Sequence, residues 1–287
     1  MKILVTGAKG QLGAEIMARA GASMHTYVFT DVLEDAARGI WPLDITDPNA
    51  IPADVDVIIN CAAYTDVNRA EYDEQTAMKV NALAPALLAK AAKVSGALLI
   101  HISTDYVFDG KTDRPYKEDD PAAPLSAYGR TKLAGEKAIE AEGCRYMIFR
   151  TAWLYSNHGR NFFLTMASLT AEKQEVNVVD DQRGTPTYAG DLADLIYNIV
   201  ENGALEATGT YHYTNEGDCT WYEFAKAIND MLGHGCSVRP CCTEDYPSPA
   251  ARPACSVLDK TKVKETFGIE IPHWRDSLAK AVNNMKL

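Results

Sequence analysis

No apolar run in this 287-residue chain approaches the ~20 residues that a membrane-spanning helix requires. The most apolar windows, Val55–Ala63 and Ala97–Ile102, are far shorter. At the start, only Ile3-Leu4-Val5 precede Thr6 and Gly7, too few apolar residues for a secretory leader, so a cytoplasmic location is expected. Basic charge is scarce too. Against 39 Asp and Glu stand 28 Lys and Arg, a net charge of −11 and a pI near 5.0. That shortage argues against a dedicated nucleic-acid binder, whose affinity rests on clustered Lys and Arg. It argues equally against docking to an anionic membrane. The sign of a ligand's charge stays open, because a pocket can differ from the whole. Cys61, Cys144, Cys219, Cys236, Cys241, Cys242 and Cys255 are odd in number and contain no C-x-x-C pair. Free thiols are therefore expected, and no metal site is assigned, even around His234 to Cys255. Internal repeats, low-complexity segments and flexible linkers are also missing.

What is present is ordinary globular composition, 47% apolar and 23% charged, on a length that suits one large or two modest domains. In the first half, short β-prone runs alternate with helical stretches. The strands are Lys2–Thr6, Thr26–Thr30, Val55–Asn60, Ala97–Ser103 and Tyr146–Thr151. The helical stretches run from the Gly7–Gly13 loop to about Arg19, then over Asp66–Val80 with Ala82–Val94, then over Ser126–Glu142. This alternation predicts an α/β fold, a Rossmann-like doubly wound parallel sheet. The second half is mixed: helices at Asn161–Lys173, Gly190–Glu201, Asp259–Thr266 and His273–Met285, strands at Val176–Val179 and Thr210–Thr214. Thr220 to Glu223 reads as a capping box, and Tyr246–Pro253 as a proline loop. A smaller mixed α/β lobe built on the first is expected. The division is 1–152 for dinucleotide binding and 153–287 mainly for substrate, with segments near 174–200 returning to the first domain.

Gly7-x-x-Gly10-x-x-Gly13 stands between the first strand and the first helix, where a dinucleotide fingerprint sits. The turn needs glycine dihedrals, and the helix N-terminus offers free N–H groups to a pyrophosphate. Asp31 ends the second strand 18 residues beyond Gly13. There a carboxylate accepts from a ribose 2′-hydroxyl and repels a 2′-phosphate, whereas Lys9 in the loop favours that phosphate. NADH against NADPH stays open, Asp31 tilting toward NADH.

Tyr128-x-x-x-Lys132 puts a phenol and an ammonium on one helix face. A cation about 4 Å away lowers a phenol's pKa by at most ~3 units at an effective dielectric near 20. That makes Tyr128 the expected proton-transfer group. The apolar run Leu98–Ile102 ends at Ser103–Thr104, placing a hydroxyl at the carboxyl edge of the sheet, where open α/β folds bind ligands.

Glycine loop, strand-end hydroxyl and Tyr–Lys pair together resemble the extended short-chain dehydrogenase/reductase superfamily. Finer matches resemble its dTDP-4-dehydrorhamnose reductase family: Ala62–Val67, Ser103–Phe108, Pro124–Glu136, Arg150–Tyr155, Asp181–Thr187 and Tyr246–Pro253. The matched stretches run along nearly the whole chain. The resemblance implies an NAD(P)H-dependent oxidoreductase that reduces the C4 keto group of dTDP-4-dehydro-6-deoxy-L-mannose to dTDP-L-rhamnose, for polysaccharide biosynthesis. It implies a proton from Tyr128, a lowered Tyr pKa and a nicotinamide-ribose contact from Lys132, and a substrate contact from Thr104. Trp153 would pack on the sugar with Thr65, Asp105 and Tyr106 nearby. Gly7, Gly10, Gln11, Leu12 and Gly13 would meet the cofactor, with Asp31, Asp44, Ile45 and Ala62-Ala63-Tyr64 bordering its adenosine half. Arg252 and Arg160 are the cations expected to answer the substrate diphosphate. Asn81 is read as a tie between helix and strand, and His101 and His158 as core or surface residues without a partner.

One departure stands out. Some members of the family dimerise through a divalent cation held by carboxylates. Glu15 and Asp194 are present, but Gly190 stands where a Glu is expected. The cage is incomplete, so a monomer or weak homodimer without a magnesium bridge is expected. Two rival readings remain: a nucleotide-sugar epimerase or dehydratase, to which Asp105 beside Thr104 would also suit, and a non-catalytic regulatory subunit like the methionine adenosyltransferase beta subunit.

Overall fold

The computed structural model describes residues 1–285. Parallel strands need a crossover, and helical crossovers cover both faces of the sheet they join. Six strands of the first half do this: β1 (Lys2–Thr6), β2 (Thr26–Asp31), β3 (Ile40–Pro42), β4 (Val57–Asn60), β5 (Leu98–Thr104) and β6 (Arg145–Thr151). Joined by the strand Gly209–His212, they form a seven-stranded sheet ordered Gly209–His212, β6, β5, β4, β1, β2, β3, with every pairing parallel. The order reverses beside β1, which opens a crevice at the carboxyl ends of β1 and β4.

Covering on both faces explains the unbroken apolar runs. Ile3 and Val5 pack with Leu12 and Ile16 of α1 (Gln11–Ala20), while Leu4 packs on the opposite face with Ala84 and Leu88. The helical stretch expected over Asp66–Val80 is broken into α2 (Val67–Ala70) and α3 (Glu74–Met78). Asp73 is the cause: its side chain captures the Thr76 N–H and starts a new helix, an alternative that short acidic side chains offer the backbone. A π turn over Lys79–Leu83 then leads into α4 (Ala84–Ser95). Ser126 caps α5 (Ala127–Glu142) at Gly129 N, a bond worth about 1 kcal/mol.

The second hydrophobic cluster centres on Tyr155, Phe163, Phe224 and Trp274. It is built by α6 (Phe162–Glu172), α8 (Trp221–Leu232) and the helix Trp274–Met285. Thr220 and Glu223 form the expected capping box on α8. Strand Glu175–Val179 belongs here, paired with Ser237–Cys241, which tolerates Pro240 at an edge. In contrast α7 (Ala189–Glu201) packs on α1 beneath the large sheet. Strand Gly209–His212 answers the strand expected at Thr210–Thr214, whereas β3 and Ser237–Cys241 were not expected from sequence.

Between the two clusters lies a buried polar brace. Arg150 forks Glu136 at 2.7–3.2 Å, Ser103 donates to the same carboxylate, and His212 Nε2 lies 3.4 Å from Arg150 Nη1. Burial, then Arg150, pushes the His212 imidazole down to about 3. Between about pH 6.5 and 3 the unfolded chain binds a proton at this position that the folded chain refuses. The stabilisation is therefore complete above pH 6.5 and lost as pH falls through that window. His212→Asn is expected to flatten the fall in chemical-denaturation stability by about 2 kcal/mol between pH 6 and pH 4. An unchanged slope would place the acid sensitivity elsewhere.

Candidate active site

The crevice at the switch point deepens into a cavity of about 800 Å³. At one end lies the glycine loop. Gly7 has φ +68°, and a Cβ there would sit 2.5 Å from Ala62 N, so the loop lies flat against the chain leaving β4. A Cβ on Gly13 would sit 2.4 Å from Gly7 O and 2.6 Å from Ala8 Cα. No side chain caps α1, and its first turn has no acid. Its leading N–H groups are left for an anion, favoured further by the helix dipole. This cradle fits the pyrophosphate of a dinucleotide. Asp31 Oδ2 accepts from Lys9 N at 3.0 Å, so the carboxylate that faces the cavity also anchors the loop. Asp44 accepts from both N and Oγ1 of Thr46, which holds its carboxyl below the usual carboxylate range.

Midway along the cavity, β5 ends at Thr104 and the first turn of α5 faces it. Thr104 Oγ1 donates to Asp105 Oδ1 at 3.0 Å, accepts from Tyr106 N at 3.2 Å, and acts on the Tyr128 phenol. Lys132, 1% exposed, sends Nζ to Ile102 O at 2.6 Å and to within 3.3 Å of His101 Nε2. This corrects the expected electrostatics. Burial pushes the Tyr128 phenol above its ordinary value, with only Thr104 opposing, while Lys132 is committed to the β5 backbone. Tyr128 is thus held as a phenol, ready to give a proton rather than to take one. Burial also raises the Asp105 carboxyl to about 6, with Ser256 and Thr104 opposing, and its Oδ2 has no partner. Tyr106 accepts from Arg252 Nη1 at 3.3 Å.

The far wall comes from the second lobe. Trp153 has φ +47°, the one positive value outside glycine among the described residues. A bulky residue in that region is strained and is held by its surroundings. Its indole stacks on Trp221 at 3.5 Å between centroids, and Trp221 meets Phe162 at 4.5 Å. Neither Trp221 nor Phe162 was expected; their signal was an aromatic in the first helical position after Thr220 and after Asn161.

Nearly all residues expected at the site line this one cavity, Arg160 included. Gly13 and Tyr64 do not: Gly13 packs behind the loop, and Tyr64 lies with Tyr128 on the cluster of Ala70, Ala77 and Ala127. Asn81 ties the chain after β4 to α5, bonding both Tyr64 backbone groups and Thr131 Oγ1. His101 is not partnerless, since both ring nitrogens are engaged. Among the described residues no three His, Cys, Asp or Glu side chains converge as a metal cluster would, and no helix is long and apolar enough to cross a membrane.

A family model described as the RmlD substrate binding domain matches residues 1–287. The chain is 40% identical to a dTDP-4-dehydrorhamnose reductase of Burkholderia thailandensis, covering 99% of each chain. The crystal structure of a dTDP-4-dehydrorhamnose reductase from Clostridium acetobutylicum superposes with a TM-score of 0.92 at 41% identity, over the whole of both chains. A Bacillus anthracis dTDP-4-dehydrorhamnose reductase in complex with NADP superposes with a TM-score of 0.87 at 34% identity, over 99% of each. The chain, matched end to end in sequence and in fold, belongs to the RmlD family of dTDP-4-dehydrorhamnose reductases.

Proposed function

We propose that this protein reduces the C4 keto group of dTDP-4-dehydro-6-deoxy-L-mannose to dTDP-L-rhamnose with NADPH or NADH, in the cytoplasm, for rhamnose-containing polysaccharides. One observation carries the reading: Thr104, Tyr128 and Lys132 meet on the wall of the cavity that the glycine loop closes at its other end. When bound, the reduced dinucleotide supplies a hydride. The N–H groups opening α1 hold its pyrophosphate, Asp31, Asp44 and Ile45 border its adenosine half, and Lys132 takes the nicotinamide ribose. Tyr128, kept protonated by burial, gives its proton to the C4 oxygen, and Thr104 orients that oxygen against the phenol. A positioned proton donor of this kind contributes about 10²–10⁴-fold in rate. The second lobe is the substrate side. Trp153, braced by Trp221, forms the platform for the sugar, with Thr65, Asp105 and Tyr106 around it.

Arg252 reaches the cavity beside Tyr106 and supplies the positive charge that a dianionic substrate needs on an acidic protein. Arg252→Glu is expected to raise the KM for the sugar nucleotide about tenfold or more, roughly 1.4 kcal/mol of binding. An unchanged KM would remove Arg252 from the site. Mixing protein, keto sugar nucleotide and NADPH or NADH tests the function: sugar-dependent loss of reduced nicotinamide is expected. Turnover without net oxidation, by a cofactor that survives purification, would instead show an epimerase or dehydratase.

The carboxylates expected to hold a bridging cation already share one guanidinium. Arg19 donates to Glu15 Oε2 at 2.9 Å and to Asp194 Oδ1 at 2.6 Å, and Gly190 adds no third oxygen. The residues do not fit a divalent ion. Sedimentation in EDTA and in excess magnesium is expected to give the same mass; a magnesium-dependent dimer would contradict this.

A further inference from the structure

His101 is buried in the middle of β5, and its two nitrogens have fixed neighbours. Nδ1 lies 2.9 Å from Asn60 Nδ2, and Nε2 lies 3.3 Å from Lys132 Nζ. The orientation of the Asn60 amide is set by a group that can only donate: its Oδ1 accepts from the Ala62 backbone N–H at 3.2 Å, and from Thr6 Oγ1 at 2.7 Å. The amide nitrogen therefore points at His101 and donates, so Nδ1 carries the lone pair. A neutral imidazole has one N–H, and it must then be on Nε2, facing Lys132. His101 is neutral, because burial and then Lys132 push its pKa well below the ordinary value.

An Nε2–H facing an ammonium would set two donors against each other. Facing an amine, it finds a lone pair. Charge accounting points the same way. The titratable groups that act on Nζ are neutral His101 from β5 and, one turn later on α5, Glu136. Glu136 favours the ammonium, but Arg150 from β6 forks its carboxylate and already matches that charge. A charged Lys132 would leave this buried group with one uncompensated positive charge, which is costly away from water. Consistent with this, burial brings the Lys132 amine down to about 8.

We propose that Asn60 locks His101 as the Nε2–H tautomer, that His101 holds Lys132 as the neutral amine in the free protein, and that binding of a dinucleotide dianion loads Lys132 with one proton. His101 is a positioning residue here, acting through Lys132. The proton-loading half rests on the dinucleotide reading above; the tautomer does not.

The test has two arms. Long-range proton–nitrogen NMR of the free wild-type protein reads the His101 tautomer. An Nε2–H pattern is expected, and an Nδ1–H or doubly protonated ring would overturn the proposal whatever the protein binds. Calorimetry of NADH and of NADPH binding at about pH 9, in buffers of different ionisation enthalpy, reads proton uptake; this is above the titration of the Lys132 amine and of a phosphate monoester. Uptake approaching one proton per site is expected, falling toward zero in Asn60→Asp, whose carboxylate draws the proton to Nδ1 and leaves Nε2 to accept from an ammonium. Wild-type uptake near zero would overturn the proposal. Failure of both dinucleotides to bind would overturn the proton-loading half together with the cofactor reading, while the NMR arm still judges the tautomer.

Discussion

Replacing Tyr128 with Phe is expected to lower kcat by about 10²–10⁴-fold while leaving dinucleotide affinity within about twofold of wild type. The substitution removes one oxygen. Its polar neighbour is Thr104, so the folded state loses about 1 kcal/mol at most. The ring keeps its packing against Ala127 and its edge contact with Tyr106 at 5.6 Å. What disappears is the proton. Burial keeps the phenol protonated through the neutral range, and the hydroxyl of Thr104 beside it is far less acidic as a replacement donor. Steady-state kinetics with a separate cofactor titration checks this. A kcat within threefold of wild type would show that the proton comes from another group, for which buried Asp105 would be the next candidate.

The second large effect is at the loop. Gly13→Val is expected to weaken dinucleotide binding about 100-fold, roughly 2.7 kcal/mol. Its first added carbon would lie 2.4 Å from Gly7 O and 2.6 Å from Ala8 Cα, both backbone, so the loop itself must move. Moving it carries Gly10 and Gln11 away from the cavity and breaks the register of Lys9 N on Asp31. Gly21→Ala is the matched control, because a Cβ there meets nothing within 4 Å. Equilibrium binding of NADP⁺ and NAD⁺ to both variants checks the claim. Equal affinity for Gly13→Val and wild type would mean that the loop is not the pyrophosphate cradle.

Much of this architecture was legible because the large sheet is covered on both faces. Burial on two sides demands continuous runs such as Ile3-Leu4-Val5 and Leu98-Leu99-Ile100, which stand out against any background. The order of strands at β1 and β4 then places the glycine loop and Thr104 at one edge. What sequence could not show depends on partners distant along the chain. The i, i+4 spacing puts Tyr128 and Lys132 on one face, but it cannot reveal that Nζ extends to the Ile102 carbonyl, 30 residues earlier. Burial, not Lys132, then sets the direction of the shift on the phenol. His101 had no visible partner for the same reason: Asn60 and Lys132 lie 41 and 31 residues away. The break at Asp73 was missed because helical periodicity runs through it while a single side chain redirects the backbone. Trp221 was hidden by its place on a helix of the second lobe, whose aromatic side chains also serve as core.

The central claim is that Tyr128 and a dinucleotide in this cavity together reduce the C4 carbonyl of a dTDP-linked keto sugar. Reaction with NADPH or NADH carrying deuterium at the transferable position of the nicotinamide tests it most directly, followed by NMR of the product. The account predicts one deuterium at C4 of a dTDP-L-rhamnose product, formed in equal amount to the dinucleotide oxidised. A product with no deuterium at C4, or the absence of any sugar-dependent oxidation of either cofactor, would contradict it.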